Sequence, residues 1–210
     1  MSSTDLLIVI LENMGKNIIE NKDYLTELDR VIGDADHGIN MSKGFSAVND
    51  KLGEMKGKDW GYILKNTAMT LISTVGGASG PLYGTAFLRA ATVVDGKMDI
   101  DHEDVVNMFE QAIEGIKARG KSDRGDKTML DALIPAFDAL KAAYQNGLES
   151  KKAFQMAEDA ALEGLEYTKT IIAKKGRASY LGERSIGHQD PGATSTYIAI
   201  RSIKETLEEN

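Results

Sequence analysis

The stretch from Val105 to Ile116, V-V-N-M-F-E-Q-A-I-E-G-I, decides the fold. Val105, Phe109, Ala112 and Ile116 recur at steps of three and four, with Val106 and Ile113 beside them, so the apolar side chains share one helical face. Farther along the chain, Phe154, Ala157, Ala161 and Leu165 repeat the spacing, and Ile200, Ile203 and Leu207 carry it towards the C-terminus. The periodicity predicts eight helices, over about 4–22, 39–55, 58–75, 81–95, 102–119, 126–147, 151–174 and 191–208. Gly80-Pro81 and Asp190-Pro191 mark two starts, each with proline at the first helical position and the second behind an acidic N-cap. Pro135 falls inside the sixth helix and predicts a kink. The run Leu6–Leu11 suits a strand by composition, but no partner strand is evident. The expected class is all-α.

With 210 residues and 22.8 kDa, the chain fits one domain over 1–210, and no repeat, low-complexity tract or Pro/Ser linker divides it. A 42% hydrophobic and 27% charged composition suits a globular chain and is too apolar for a disordered one. The net charge of −7 argues against a nucleic-acid backbone or an anionic membrane as partner. Cysteine is absent, which removes thiol catalysis, thiolate metal sites and disulfides. Leu6–Leu11 lacks a basic flank and is too short to span a bilayer, so neither a signal peptide nor a membrane span is expected, and the expected compartment is the cytoplasm.

Short connections favour antiparallel neighbours, which puts alternate connections at opposite ends of a bundle. The odd connections, at about 23–38, 76–80, 120–125 and 175–190, hold nearly all the glycine-rich and charged sequence. The even ones, near 56–57, 96–101 and 148–150, are chemically plain. Parity alone therefore gathers the reactive loops at one end, where a rigid scaffold can hold a site.

In L-D-R-V-I-G-D-A-D-H-G, Asp29, Asp34 and Asp36 fall within eight residues. Two carboxylates about 4 Å apart repel by roughly 4 kcal/mol at an effective dielectric of 20, so a compact trio invites a hard cation. Oxygen ligands without cysteine point to Mg²⁺ or Ca²⁺, and the spacing is not that of an EF-hand. A solvated acidic loop with one aspartate capping the next helix is the plainer alternative. Gly76-Gly77-Ala78-Ser79-Gly80-Pro81 lets backbone amides approach an anion at a helix start, but it lacks the Lys-Ser/Thr ending of a Walker A loop; taken alone, the motif is more simply a tight helix–helix turn. Lys174 to Gly192 carries Lys174, Lys175, Arg177, Arg184 and His188, a basic loop set against an acidic one, which suits an anion between them. His37 and His188 stand in the rich loops, open to phosphate, metal or a phosphohistidine role, whereas His102 is read as a capping or surface residue at the plain end.

Together, Asp29-x3-Gly33-Asp34-Ala35-Asp36-His37-Gly38, Gly76 to Gly84 and Gly176 to Ala193 resemble, in order and over nearly the whole chain, the nucleotide-binding L domain of dihydroxyacetone kinases. Chain length and the lack of a fused substrate domain are like those of the separate L subunits of bacterial phosphotransferase-system-dependent enzymes. The resemblance implies a barrel of eight antiparallel amphipathic helices with ADP (ATP when charged) in the loops at one end. It implies two Mg²⁺ ions on Asp29, Asp34 and Asp36. Nucleotide contacts then fall on His37, Gly38, Ile39 and Asn40, on Ala78 and Ser79, on Gly120 and Met129, on Arg177, and on Asp190, Pro191 and Gly192. Of these, Asn40, Ser79 and Arg177 are expected on phosphate, and Gly120 and Met129 beside the adenine.

The implied chemistry is a kinase cycle in which a phosphoryl-carrier M subunit of the phosphotransferase system recharges held ADP in place. The phosphoryl group then passes to dihydroxyacetone on a K subunit. No catalytic base need lie in this chain, and Tyr180-Leu181 is a candidate docking contact. Two other readings stay open: a kinase subunit that exchanges ATP freely, and a nucleotide-dependent regulator of a transcription factor. Fatty-acid kinases share the implied fold, but His37 after the aspartate pair counts against them.

Overall fold

The computed structural model covers residues 1–210 and holds nine α-helices and no strand. They are α1 (Ser3–Glu20), α2 (Lys22–Ile32), α3 (His37–Leu52), α4 (Trp60–Thr74), α5 (Ser79–Val93), α6 (His102–Gly120), α7 (Leu130–Gln145), α8 (Ser150–Tyr167) and α9 (Pro191–Glu209). Short 3-10 turns occupy Gly53–Met55, Thr168–Thr170 and Arg177–Ser185. No helix is long and apolar enough to cross a membrane.

The sequence predicts eight helices and a connection over 23–38, whereas most of that connection is α2. Its buried face is Leu25, Asp29 and Ile32, one turn apart each time, so a carboxylate occupies a position where periodicity looks for an apolar side chain. The expected seventh helix over 151–174 ends at Tyr167, and α7 starts at Leu130 rather than near 126. Pro81 is the third residue of α5 behind an Ala78 N-cap, not the first. Pro191 does open α9, and the Asp190 carboxylate accepts the Ala193 N–H as its cap. Leu6–Leu11 is helical, with Leu7, Ile8, Ile10 and Leu11 all buried. The expected cap of α6 is not His102 but Asp101, in a reciprocal capping box with Asp104. His102 is instead stacked on Tyr144, ring centroids 4.0 Å apart.

Packing follows chain order. Contacts run α3 to α4 and onward to α9, and α1 lies against both α3 and α9, so the neighbours close into a ring with α2 against α3 and α9 outside it. Side chains give direction to the contacts. Asn13 and Asn17 of α1 bond to Thr206 and Ser202 of α9, and Lys151 of α8 reaches the Glu208 carbonyl near the end of α9, so both pairs run antiparallel. Side chains such as Met41, Phe45, Ile63, Leu71, Leu130 and Leu140 face inward with no exposed surface. Each such burial contributes about 1.5–3 kcal/mol. Inside the ring an apolar cavity of about 720 Å³ remains, walled by Leu7, Trp60, Phe87, Met108, Phe154 and Ile200 among others.

Pro135 sits within α7, which runs unbroken as one element from Leu130 to Gln145. Proline has no N–H for the Asp131 carbonyl, and that carbonyl is where Gly164 of α8 makes its closest approach. A Cβ at Gly164 would overlap the Asp131 oxygen and press on Ala132, so the α7–α8 contact depends on glycine. Gly164→Ala is expected to cost about 1–3 kcal/mol of stability, read as a lower urea midpoint at unchanged slope. An unchanged midpoint would show that the two helices separate there at no cost.

Candidate functional site

A cleft of about 640 Å³ opens at one end of the molecule, lined by residues from four separated stretches of the chain. Asp29, Asp34, Asp36 and His37 come from the end of α2 and the start of α3, and Ala78 and Ser79 from the start of α5. Gly120, Thr128 and Met129 flank the 121–129 loop, and Arg177, Asp190, Pro191 and Gly192 come from the last loop and the start of α9. The N-termini of α3, α5, α7 and α9 thus converge on one space, each bringing positive dipole character. The start of α5 has no side-chain cap, so its first amides remain available to an anion. Tyr83, Ile116 and Met129 line both this cleft and the apolar cavity beneath it.

At the acidic corner, Asp29, Asp34 and Asp36 bring carboxylate oxygens within 4.8 Å of one another. Asp29 is buried, and its Oδ2 accepts the backbone N–H groups of Asp36 at 2.8 Å and His37 at 3.1 Å, fixing the turn into α3. Gly33 is required here because a Cβ would overlap the Asp29 carboxylate. Ala35 lies in the left-handed region at φ 62°, turning the chain so that the carboxylates on either side share the cluster. Burial, and then the charges of Asp34 and Asp29, push the Asp36 carboxyl above its ordinary range, against a hydrogen bond from Asn40 and the charge of Arg177. Crowded oxygens that resist ionising together form a donor set suited to Mg²⁺. Beside it, Arg177 Nε reaches Asp34 Oδ2 at 2.7 Å, joining the basic loop to the acidic one.

Most of the residues expected at the site line the cleft, but three of the four consecutive ones do not. Gly38 packs against the Lys22 carbonyl and Thr26 of α2, and Ile39 is half exposed. Asn40 lies outside the lining, beside Asp36 and Gly76. His37 lines the cleft but has no free ring nitrogen: Nδ1 lies 3.0 Å from Ser79 Oγ and Nε2 lies 2.9 Å from Ser195 Oγ. Ser195 in turn meets the buried Tyr83 hydroxyl at 2.8 Å. The ring therefore holds Ser79 in place, which leaves no nitrogen for the metal or phosphohistidine role. His188 is exposed, and its carbonyl, not its ring, has a structural partner in Lys127.

Sequence reasoning missed Asp131 and Lys127. Asp131 is fully buried and accepts the Gly125 and Thr128 amides at 2.6 and 2.7 Å, shaping the loop that carries Met129. Lys127 points inward from that loop. The only signal for either was position, Lys127 in the charged loop between Gly120 and Met129 and Asp131 just after it in the first turn of α7, and nothing in the residue types distinguishes them from their exposed neighbours.

Burial, opposed by Asp29, pushes His37 down to about 4, so its ring is neutral near pH 7. A value lowered from about 6.5 on folding adds stability that is full above pH 6.5 and is lost as pH falls through 4, at about 1.4 kcal/mol per pH unit. In EDTA, lowering the pH from 6.5 to 5 is expected to cost the wild type about 2 kcal/mol more than His37→Gln. Urea titrations at the two pH values measure this, and equal losses would mean that the ring charges freely in the folded protein.

A family model described as the DAK2 domain matches residues 31–205. The ADP-binding subunit DhaL of the PEP-dependent dihydroxyacetone kinase of Escherichia coli K12 is 48% identical over 193 residues, covering 92% of each chain. The corresponding subunit of a PTS-dependent dihydroxyacetone kinase from Lactococcus lactis is 40% identical, over 99% of this chain and 100% of that one. Among solved structures, the dihydroxyacetone kinase of C. freundii in complex with AMP-PNP and Mg²⁺ superposes with a TM-score of 0.75 at 25% identity, over 96% of this chain and 34% of that one. With a family match over most of its length and relatives similar from end to end, the chain belongs to the DAK2 domain family, alongside the separate L subunits of bacterial dihydroxyacetone kinases.

Proposed function

We propose that this chain, as a single domain over 1–210, is the nucleotide-carrying subunit of a cytoplasmic dihydroxyacetone kinase, holding ADP as a coenzyme. In this reading the ring of α1 and α3 to α9 is an eight-helix antiparallel barrel, with α2 as an added element that delivers Asp29. The observation that carries the proposal is the trio of carboxylates at the focus of four helix N-termini. An acidic cluster repels a phosphate, and helix N-termini attract one, so the two coexist best with Mg²⁺ between carboxylate and phosphate oxygens.

When bound, Mg²⁺ and ADP supply a diphosphate that receives a phosphoryl group from a carrier M subunit and gives it to dihydroxyacetone on a K subunit. Asp29, Asp34 and Asp36 hold two Mg²⁺ ions. The uncapped start of α5 offers amides to phosphate oxygens, and Ser79, held by His37, offers its hydroxyl. Arg177 brings a guanidinium from the last loop, and Asn40 stands at the edge beside Asp36. Gly120 and Met129 would hold the adenine, and Asp190, Pro191 and Gly192, which line the same cleft, would contact the nucleotide. Phosphoryl transfer needs positioning and charge neutralisation more than covalent help from the protein, so these groups suffice without a base in this chain. Exposed Tyr180, at 87% of its free surface, stands in the same loop as Arg177 and is the docking contact we assign to partner subunits. A transcription regulator would read the same face.

Asp36→Asn is expected to weaken ADP binding in Mg²⁺ buffer by more than about tenfold, because a unit charge about 4 Å from a cation is worth roughly 4 kcal/mol at an effective dielectric of 20. Titration calorimetry measures the loss, and circular dichroism should show unchanged helix. Undiminished affinity would contradict the metal assignment. Wild-type protein loaded with γ-labelled ATP should pass label to dihydroxyacetone only when a K subunit is added; label that stays put would favour the regulator reading.

A further inference from the structure

Lys127 is among the most completely buried large side chains in the protein, at 1% exposure, although it grows from a charged surface loop. It leaves the backbone at φ 61°, a conformation that non-glycine residues rarely adopt, and this turns the side chain inward. Its ammonium donates to three backbone carbonyls at short range: Thr168 at 2.6 Å, Ser185 at 2.7 Å and His188 at 2.6 Å. The Ile171 carbonyl stands farther off at 3.4 Å. Three N–H donors thus meet three close acceptors, which is the full donor capacity of lysine. Burial pushes its pKa down, and the nearby charges of Asp190 and Asp131 oppose that push.

The carbonyls belong to the segment between α8 and α9, which carries Arg177 and ends at Asp190; the lysine belongs to the 121–129 loop, which ends at Met129. The same two segments meet again where the Lys174 amide donates to the Asp126 carbonyl at 3.0 Å and the Lys174 ammonium pairs with the Asp126 carboxylate at 3.4 Å. Within the last segment, Gly187 N–H donates to the Lys169 carbonyl and Ala173 N–H to Ser185 Oγ, folding it around the ammonium. Without a cation, three carbonyl dipoles would converge on one dry point with no donor.

We propose that Lys127 is a positioning residue acting as a built-in monovalent cation: it locks the Arg177 loop to the Met129 loop and thereby sets how long the nucleotide stays bound. The inference rests on the nucleotide reading of the cleft. Lysine is suited to the task because its ammonium is a compact charge with three divergent donors, whereas the planar fork of arginine cannot aim at three converging oxygens. Methionine keeps the length and loses the charge.

The test is the dissociation rate of labelled ADP in Mg²⁺ buffer for wild type, Lys127→Met, Lys127→Arg and Lys127→Ala. Both Met and Arg variants are expected to release ADP at least ten times faster with unchanged helical circular dichroism. Ethylammonium should slow release from Lys127→Ala, whereas tetramethylammonium, of equal charge without N–H donors, should not. Wild-type release rates in Lys127→Met would overturn the proposal, and so would equal effects of the two cations. If the variants fail to fold, amide hydrogen exchange of the nucleotide-free wild type decides: Ala173, Lys174 and Gly187 should be protected, and free exchange would overturn the proposal. A wild type that binds no ADP would refute the reading of the cleft instead, and the same amide measurement would still decide the anchor.

Discussion

Repulsion among three carboxylates is the constraint around which this structure is arranged. Asp29, Asp34 and Asp36 hold their oxygens within 4.8 Å of one another, with Arg177 paired to one of them and two backbone amides to another. Such a cluster is costly in a folded protein unless positive charge is near. The fold supplies it in graded form: amides at the turn into α3, dipoles from four helix starts, and the Arg177 guanidinium from the last loop. A divalent cation held by the trio, as proposed, would complete the set. Site and architecture are therefore one arrangement, because only an alternating ring of helices delivers so many N-termini to one end.

Much of this was legible from the chain. Steps of three and four from Val105 to Ile116 established helix, and the parity of the connections placed the rich loops together before any contact was known. The miss over 23–38 has a physical cause. In α2 the buried stripe is Leu25, Asp29 and Ile32, so a carboxylate stands where periodicity looks for an apolar side chain and the helix reads as polar loop. Sequence rules fail there because the residue serves the site and not the core. His37 lines the cleft, but its ring contacts are not readable from its sequence neighbours. Its neighbours Asp36 and Gly38 are local, but the partners that use up its ring, Ser79 and Ser195, lie 42 and 158 residues away. No pattern along the chain encodes such a pairing.

Lys127 illustrates the same limit from the opposite direction. Surrounded in sequence by Arg124, Asp126 and Thr128, it looks like one more solvated charge, yet it is among the most buried residues of the molecule. What sets it apart is a left-handed backbone turn and carbonyls contributed from at least 41 residues away. The apolar interior was legible as a face on each helix but not as a cavity. Its shared wall with the cleft, at Tyr83, Ile116 and Met129, appears only when the helices are assembled.

On the proposed reading, one Mg²⁺-dependent cleft holds ADP tightly enough to serve as a coenzyme. The most direct measurement is the small-molecule content of the protein after exhaustive gel filtration in Mg²⁺ buffer, released by denaturation and quantified with and without prior EDTA treatment. The account predicts close to one ADP per chain that survives washing and is lost after EDTA. Protein that retains no adenine nucleotide in Mg²⁺, even after incubation with ADP, would contradict it.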